Sequence, residues 1–360
     1  GLSFKQSLAV GTAMNARGST EVIVASIGLA MGALSQNLFT MIVTMAVLTT
    51  MAMPPLLRAA LSRLPMGDDE KKRVDREAID ERGFVPNLER LLLAVDDSPV
   101  GKLTSRLAGL IAGARGMPLT IVRLKSDETG EQPDGPSRQV KEGARTGQAS
   151  AEKEEEDKPE KVAITARATG DTEAIAEEAR KGFDLMLLGV ENSHDAEGAF
   201  SQRVTELAKL FERPLALVAA REGEELPAIN GRLRVLVPIN GTDAARRAAE
   251  VAFAIARPTG ARVTVLYVSA GGNERQGVSR NAEEAMLKDI ADLGERYNVR
   301  LRTALQPKMA AETAILREAD KSYGLIVMGT SRRPGDALFF GNTASAVLAQ
   351  AKVPLLFVAS

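Results

Sequence analysis

The chain has 360 residues, with 46 Lys and Arg against 47 Asp and Glu, one histidine and no cysteine. A net charge of −1 gives no electrostatic footing for nucleic acid. The missing cysteines exclude disulfides, thiol catalysis and Cys/His zinc sites. His194 lies in a polar loop, a poor place for a Ser-His-Asp triad.

Charge is distributed unevenly. The first 57 residues hold only Lys5, Arg17 and Glu21, and Val22 to Leu57 holds no charge at all. That run of 36 residues is too long for one membrane span and suits the end of one plus all of another, at about 20 residues each. Two spans are expected, at 6–30 and 37–58, joined by the short loop Met31-Gly-Ala-Leu-Ser-Gln-Asn37. Lys5 precedes them and Arg58 and Arg63 follow, which places both outer ends in the cytoplasm. Pro54-Pro55 is expected to kink or finish the second span. The long apolar stretch and the lack of a basic leader argue against a secretory signal. Together with a first residue that is Gly, this points to the last two helices of a larger integral protein.

Arg17 falls near the middle of the first span, where a charge costs several kcal/mol. Glu21 lies four residues on, on the same helix face. The pair is either an ion-pathway charge or a structural ion pair, and it should face a bundle interior. The stretch Ser7-Leu-Ala-Val-Gly-Thr-Ala-Met-Asn-Ala-Arg-Gly-Ser-Thr-Glu-Val-Ile-Val24, followed by Phe39-Thr-Met-Ile-Val-Thr-Met-Ala-Val-Leu-Thr-Thr50, resembles the end of the transmembrane domain of cation:proton antiporter-2 proteins. The resemblance covers about 60 residues, and Arg17 and Glu21 match the family's charged pair. It implies exchange of Na⁺ or K⁺ for H⁺, a bacterial inner-membrane location and a homodimer. The family's ion-binding carboxylate matches no residue here, so this portion alone is not expected to transport.

Residues 62–87 carry mixed charge, beginning Ser62-Arg-Leu-Pro-Met-Gly-Asp-Asp-Glu-Lys-Lys-Arg-Val-Asp-Arg76, and read as a linker or short amphipathic helix at the membrane surface. Beyond them the chain repeats itself. Leu91-Leu-Leu-Ala-Val-Asp-Asp-Ser98 resembles Val235-Leu-Val-Pro-Ile-Asn-Gly-Thr242. Asp184-Leu-Met-Leu-Leu-Gly-Val190 matches Gly324-Leu-Ile-Val-Met-Gly-Thr330, and Arg213-Pro-Leu-Ala-Leu-Val218 matches Val353-Pro-Leu-Leu-Phe-Val358. The two copies are placed at 88–221 and 232–360. In the second, strands are expected at 233–239, 262–269, 299–305, 324–329 and 354–358. Helices are expected at 243–257, 280–297, 310–321 and 342–351. Apolar strands alternating with helices predict, for each copy, a parallel five-stranded sheet with helices on both faces. The first copy carries an insertion at about 126–160 with few apolar residues, which predicts disorder.

Ligands in such sheets bind beyond the carboxyl ends of the strands. In the second copy that places Asn240, Gly241 and Thr242 after the first strand. It also places Gly329, Arg332, Arg333 and Gly335 after the fourth, leading to Gly341, Asn342 and Thr343 at a helix start. Glycines and a helix N-terminus together suit an anion. The arrangement resembles the universal stress protein (UspA-like) domain, whose nucleotide-binding members use Gly-x-x-Gly, nine residues, then Gly-Ser/Thr, with an Asp after the first strand. Here Arg332 replaces the second Gly, Gly341 comes one residue early, and Asn240 replaces the Asp. The first copy keeps Asp96 and Gly189, but has Asn192 at the second Gly and Phe200-Ser201-Gln202 where Gly-Ser belongs. The resemblance implies ATP, AMP or another adenine nucleotide, with the second copy the better site. There is no Walker Lys-Ser/Thr pair and no metal-binding carboxylate cluster, so no enzyme is expected. The whole reads as the end of an antiporter whose tandem cytoplasmic domains regulate transport. The alternatives are a tail that only dimerises or stabilises, and a stand-alone stress protein.

Overall fold

A computed structural model describes residues 19–61, 83–124, 135–151, 162–170, 172–221, 223, 226–269, 280–307, 309–332 and 338–359. The chain divides into two compact units, Gly1–Glu77 and Ala78–Ser360. Arg17 lies outside the described residues, as do 6–18 of the first expected span and 62–82 of the expected linker.

The first unit contains α1 (Ser19–Ala30) and α2 (Gln36–Leu61). Gly32, at φ 73°, turns the chain, and Gly32 and Ala33 donate back to Leu29 and Gly28. Small residues allow contact between the helices: Ala25 and Ala46 are buried, and Leu34 packs on Gly28. Large apolar side chains point outward, among them Val24, Met31, Met41, Leu48 and Met51. Gln36–Pro55 is long and apolar enough to cross a membrane. α1 is shorter than a span over its described length. Helix α2 does not finish at Pro54-Pro55, as the sequence allowed, but continues to Leu61. The hydroxyls of Ser26, Thr40, Thr44, Thr49 and Thr50 each donate to a carbonyl four residues back. These groups are thereby satisfied without water.

The second unit runs β1 (Leu91–Val95), α3 (Pro99–Arg115), β2 (Leu119–Leu124), α4 (Gly135–Ala151), β3 (Ile164–Gly170), α5 (Thr172–Ala179), β4 (Leu185–Gly189), α6 (Gln202–Lys209) and β5 (Leu215–Ala219). The same order returns as β6 (Arg234–Ile239), α7 (Asp243–Thr259), β7 (Arg262–Ser269), α8 (Arg280–Arg296), β8 (Arg300–Pro307), α9 (Ala311–Ala319), β9 (Leu325–Thr330), α10 (Asn342–Gln350) and β10 (Leu355–Ala359). All ten strands join one sheet in the order β3-β2-β1-β4-β5-β10-β9-β6-β7-β8. Each half is parallel, and the halves meet through antiparallel β5 and β10. Leu217 lies opposite Phe357, its equivalent in the repeat, as a two-fold relation between the copies requires.

Strand side chains alternate between two cores. Leu91, Leu93, Val95, Val218, Leu325 and Val358 face α3, α4, α7 and α8. Leu92, Ala94, Leu217, Ile326 and Phe357 face α5, α6, α9 and α10. Both faces being covered explains why these strands read as continuous apolar runs. One device recurs at the end of α5 and α9. Glu178 pairs with Lys181 at 2.6 Å, and Glu318 with Lys321 at 2.7 Å. Burial pushes the Glu318 carboxyl up, but hydrogen bonds from Lys321 and Tyr323 outweigh it and hold it below its ordinary value.

The expected disorder at 126–160 is corrected at its centre, where 135–151 is α4. Val140, Ala144 and Ala151 are buried against α3. Glycines at four-residue spacing on both helices allow backbone to meet backbone. A Cβ on Gly109 would lie 2.3 Å from the Val140 carbonyl, and one on Gly113 2.2 Å from that of Ala144. On Gly143 it would lie 2.5 Å from the Arg106 carbonyl. Close packing of small residues replaces the large apolar groups whose absence suggested disorder.

Candidate functional site

In the second copy, a cleft of about 470 Å³ opens beyond the carboxyl ends of β6 and β9. The N-termini of α7 and α10 form its walls, and Asn240, Thr242, Gly329, Gly341, Asn342 and Thr343 line it together, as the sequence suggested. Gly241 adjoins it at φ 79°. Arg333 and Gly335 lie outside the described residues.

Each end of the cleft is built differently. The Asn240 amide oxygen accepts from the Thr242 N–H at 3.2 Å and the Thr242 hydroxyl at 2.7 Å. Thr242 in turn caps α7 by accepting from the Ala245 N–H at 3.3 Å. With its oxygen so engaged, exposed Asn240 presents its NH₂ group outward. At the other end, Gly341 precedes α10 at φ 102° and ψ 163°, a conformation essentially reserved for glycine, and among the described residues no side chain caps the helix. Its first N–H groups therefore face the cleft with a favourable partial positive charge. Thr330 stands beside them. It is 6% exposed, and its hydroxyl has no hydrogen-bond partner among the described residues. Sequence reasoning missed Thr330, although its place directly after Gly329 was the available signal.

Gly329 has a packing role as well. A Cβ there would sit 2.0 Å from the Ala244 carbonyl oxygen, so only glycine lets α7 approach β9. Arg332 does not line the cleft. Its guanidinium reaches into the first copy and donates to the Phe211 carbonyl. Burial holds its pKa below the usual arginine value.

The first copy arranges the same elements into a closed contact. Asp96 is 2% exposed. One carboxylate oxygen accepts from the Ser98 N–H at 3.2 Å and from the Ser98 hydroxyl, and the other accepts from the Glu191 N–H at 2.9 Å. The aspartate is consumed by the fold. A Cβ on Gly189 would fall on the Thr104 side chain. The loop after β4 leans on the second copy instead: the Ser345 hydroxyl donates to the Gly198 carbonyl at 3.0 Å, and Phe200 packs edge-on to Phe340 at 5.1 Å between centroids. Glu21, on α1, is exposed and belongs to neither site.

His194 sits in this loop, with Nδ1 3.1 Å from the Ser193 hydroxyl, which is buried. Burial holds the imidazole below its ordinary 6.5, Arg221 adds to this, and Asp195 opposes it. A base with a lowered folded pKa contributes stability that is complete above its unfolded value and lost as pH falls through the folded one. Wild type is therefore expected to lose stability below pH ~6.5 more steeply than His194→Gln, by urea midpoints taken from pH 7.5 to 5. Identical slopes would contradict the assignment.

The universal stress protein family model matches residues 87–217 and 231–359. A universal stress protein from Archaeoglobus fulgidus has a solved structure covering 75% of this chain and 98% of its own, at 16% identity and a TM-score of 0.45. Another, solved in complex with cAMP, covers 36% of this chain and 98% of its own, at 15% identity and a TM-score of 0.28. A different kind of match is the Na⁺/H⁺-K⁺ antiporter GerN of Bacillus cereus, 43% identical over 58 residues. That is 16% of this chain, and the chain covers only 15% of that antiporter's length. With two family matches and two repeats of one α/β unit joined in a single sheet, the chain belongs to the universal stress protein family.

Proposed function

We propose that this chain is the C-terminal portion of a membrane antiporter exchanging Na⁺ or K⁺ for H⁺, and that its second stress-protein copy binds an adenine nucleotide and biases transport. The observation that carries the nucleotide reading is the Thr330 hydroxyl. A buried hydroxyl without a partner costs about 1–3 kcal/mol, and here it lies beside an uncapped helix N-terminus suited to phosphate. The protein solved with cAMP shows that a relative of this family takes such a ligand. Thr330→Val tests the reading by its opposite effects. It should weaken AMP or ATP binding about three- to tenfold while leaving the free protein as stable or more so. Unchanged affinity would remove Thr330 from the site.

Support for the membrane reading comes from the α1–α2 hairpin with its outward apolar face, from the self-satisfied hydroxyls, and from the 58-residue match to an antiporter. A stand-alone stress protein leaves that face unexplained. Orientation follows the basic residues, with the stress-protein copies in the cytoplasm and the transporter in a bacterial inner membrane. The homodimer would form through the membrane part, because β5 and β10 are already paired with each other within one chain. In the intact transporter, Arg17→Ala should lower cation-dependent proton flux in vesicles by about tenfold or more, given the several kcal/mol such a charge represents. Unchanged flux would leave Arg17 dispensable.

A second reading has its own observation. The contact between Gly329 and Ala244 accounts for that glycine without any ligand. On this reading the tail pairs its copies and steadies the transporter, and it binds no small molecule.

A further inference from the structure

Helix α7, whose N-terminus walls the second-copy cleft, also holds the segment that leads into the first copy. Residues 83–88 lead directly into β1, so chain order assigns them to the first copy. Two of their main-chain N–H groups reach α7 of the second. Glu250, 1% exposed, accepts through one carboxylate oxygen from the Phe84 N–H at 2.5 Å and the Val85 N–H at 3.1 Å. The Arg247 guanidinium lies over the Phe84 ring, 5.5 Å from its centroid. Val85 is itself buried in the same core as α7.

Glu250 lies about two turns beyond the Thr242 cap. Between them is Arg246, 3.6 Å from the other Glu250 oxygen and 2.6 Å from Asp289 of α8. Among the described residues, the charged groups that meet the carboxyl are Arg246 from its own helix and, through it, Asp289, while the 83–88 segment offers main-chain N–H groups. A continuous set of contacts thus runs from Asn240 and Thr242 through the first turn of α7 to Arg246, Glu250 and the amides of Phe84 and Val85.

We propose that Glu250 clamps the 83–88 segment to α7, and that through this helix the state of the second-copy cleft sets how firmly the segment approaching from the membrane side is held. The clamp stands on the geometry just given, and its link to a ligand rests on the nucleotide reading of the cleft. Two hydrogen bonds to one buried carboxylate oxygen are strong, and removing their acceptor strands both donors. Burial pushes the Glu250 carboxyl above its ordinary range against the pull of these N–H groups and of Arg246. The clamp therefore depends on their staying in place.

Hydrogen exchange of the full 360-residue chain in detergent, followed at Phe84 and Val85, tests this. Glu250→Leu should speed exchange there about tenfold or more, while Glu250→Gln, which keeps an acceptor oxygen, should stay within about twofold of wild type. Protected peptides in β1 and β10 would show that each variant is folded. Thr242→Ala, which uncaps α7 at its far end, should also speed exchange at Phe84 and Val85, and millimolar AMP or ATP should slow it. Unchanged exchange in Glu250→Leu overturns the clamp. Faster exchange in the first turn of α7 without change at Phe84 and Val85 in Thr242→Ala overturns the relay. So does nucleotide protection of Thr343 and Ala344 that leaves Phe84 and Val85 untouched. Nucleotide that protects none of these amides defeats the cleft reading, and the Thr242→Ala result still decides the relay.

Discussion

Phe357→Ala should destabilise the second unit by about 3–5 kcal/mol, the range for removing a fully buried aromatic side chain. Phe357 is completely buried on β10, the strand through which the second copy meets the first. Its ring contacts Phe340 at 5.5 Å and Phe200 at 5.9 Å between centroids. Phe200 comes from the first copy and Phe340 lines the second-copy cleft. The cavity would thus open where the copies join and where the cleft is walled. Urea unfolding should show the loss, and weaker nucleotide binding should accompany it. A loss below about 1 kcal/mol would mean that the copies are held together elsewhere.

Gly329→Ala is expected to cost about 3 kcal/mol in the absence of any ligand, at the upper end of what overpacking does. The added methyl would meet the Ala244 carbonyl oxygen at 2.0 Å and the Ala245 nitrogen at 2.4 Å, so α7 must move away from β9. Backbone cannot yield as a flexible side chain can. This substitution also separates two reasons for the glycine. If it served only to let a phosphate approach, the ligand-free protein would be unaffected and binding alone would fall. Equal urea midpoints for wild type and variant would contradict the packing account.

Much of the second copy was legible in the sequence because its strands are covered on both faces. Runs such as Val235–Ile239 and Leu325–Thr330 carry enough branched and apolar residues to declare themselves, and the capping Thr242 marks where α7 begins. Helix α4 was not legible, because its burial rests on Gly143, Ala144 and Gly147 rather than on large side chains. The matching spacing of Gly109 and Gly113 on α3 was the signal to read.

Within the site, the residues after β6 and at the start of α10 converge because both chain segments leave the same edge of one parallel sheet. Arg332 diverges, since a loop residue's neighbours in sequence do not fix which copy it faces. Asp96 keeps the family pattern, but the Glu191 N–H that closes over it lies far along the chain. The hold of Glu250 on Phe84 joins residues 166 positions apart and leaves no local trace in the sequence.

Those differences between the copies give the nucleotide reading a stoichiometry. Asp96 is spent on the fold of the first copy, while Thr330 and the α10 N-terminus stand open in the second. Calorimetric titration of the full chain in detergent with AMP and with ATP measures this directly. One nucleotide per chain, with a dissociation constant at or below about 1 mM, is the predicted result. Two per chain, or no heat at millimolar ligand, would contradict it.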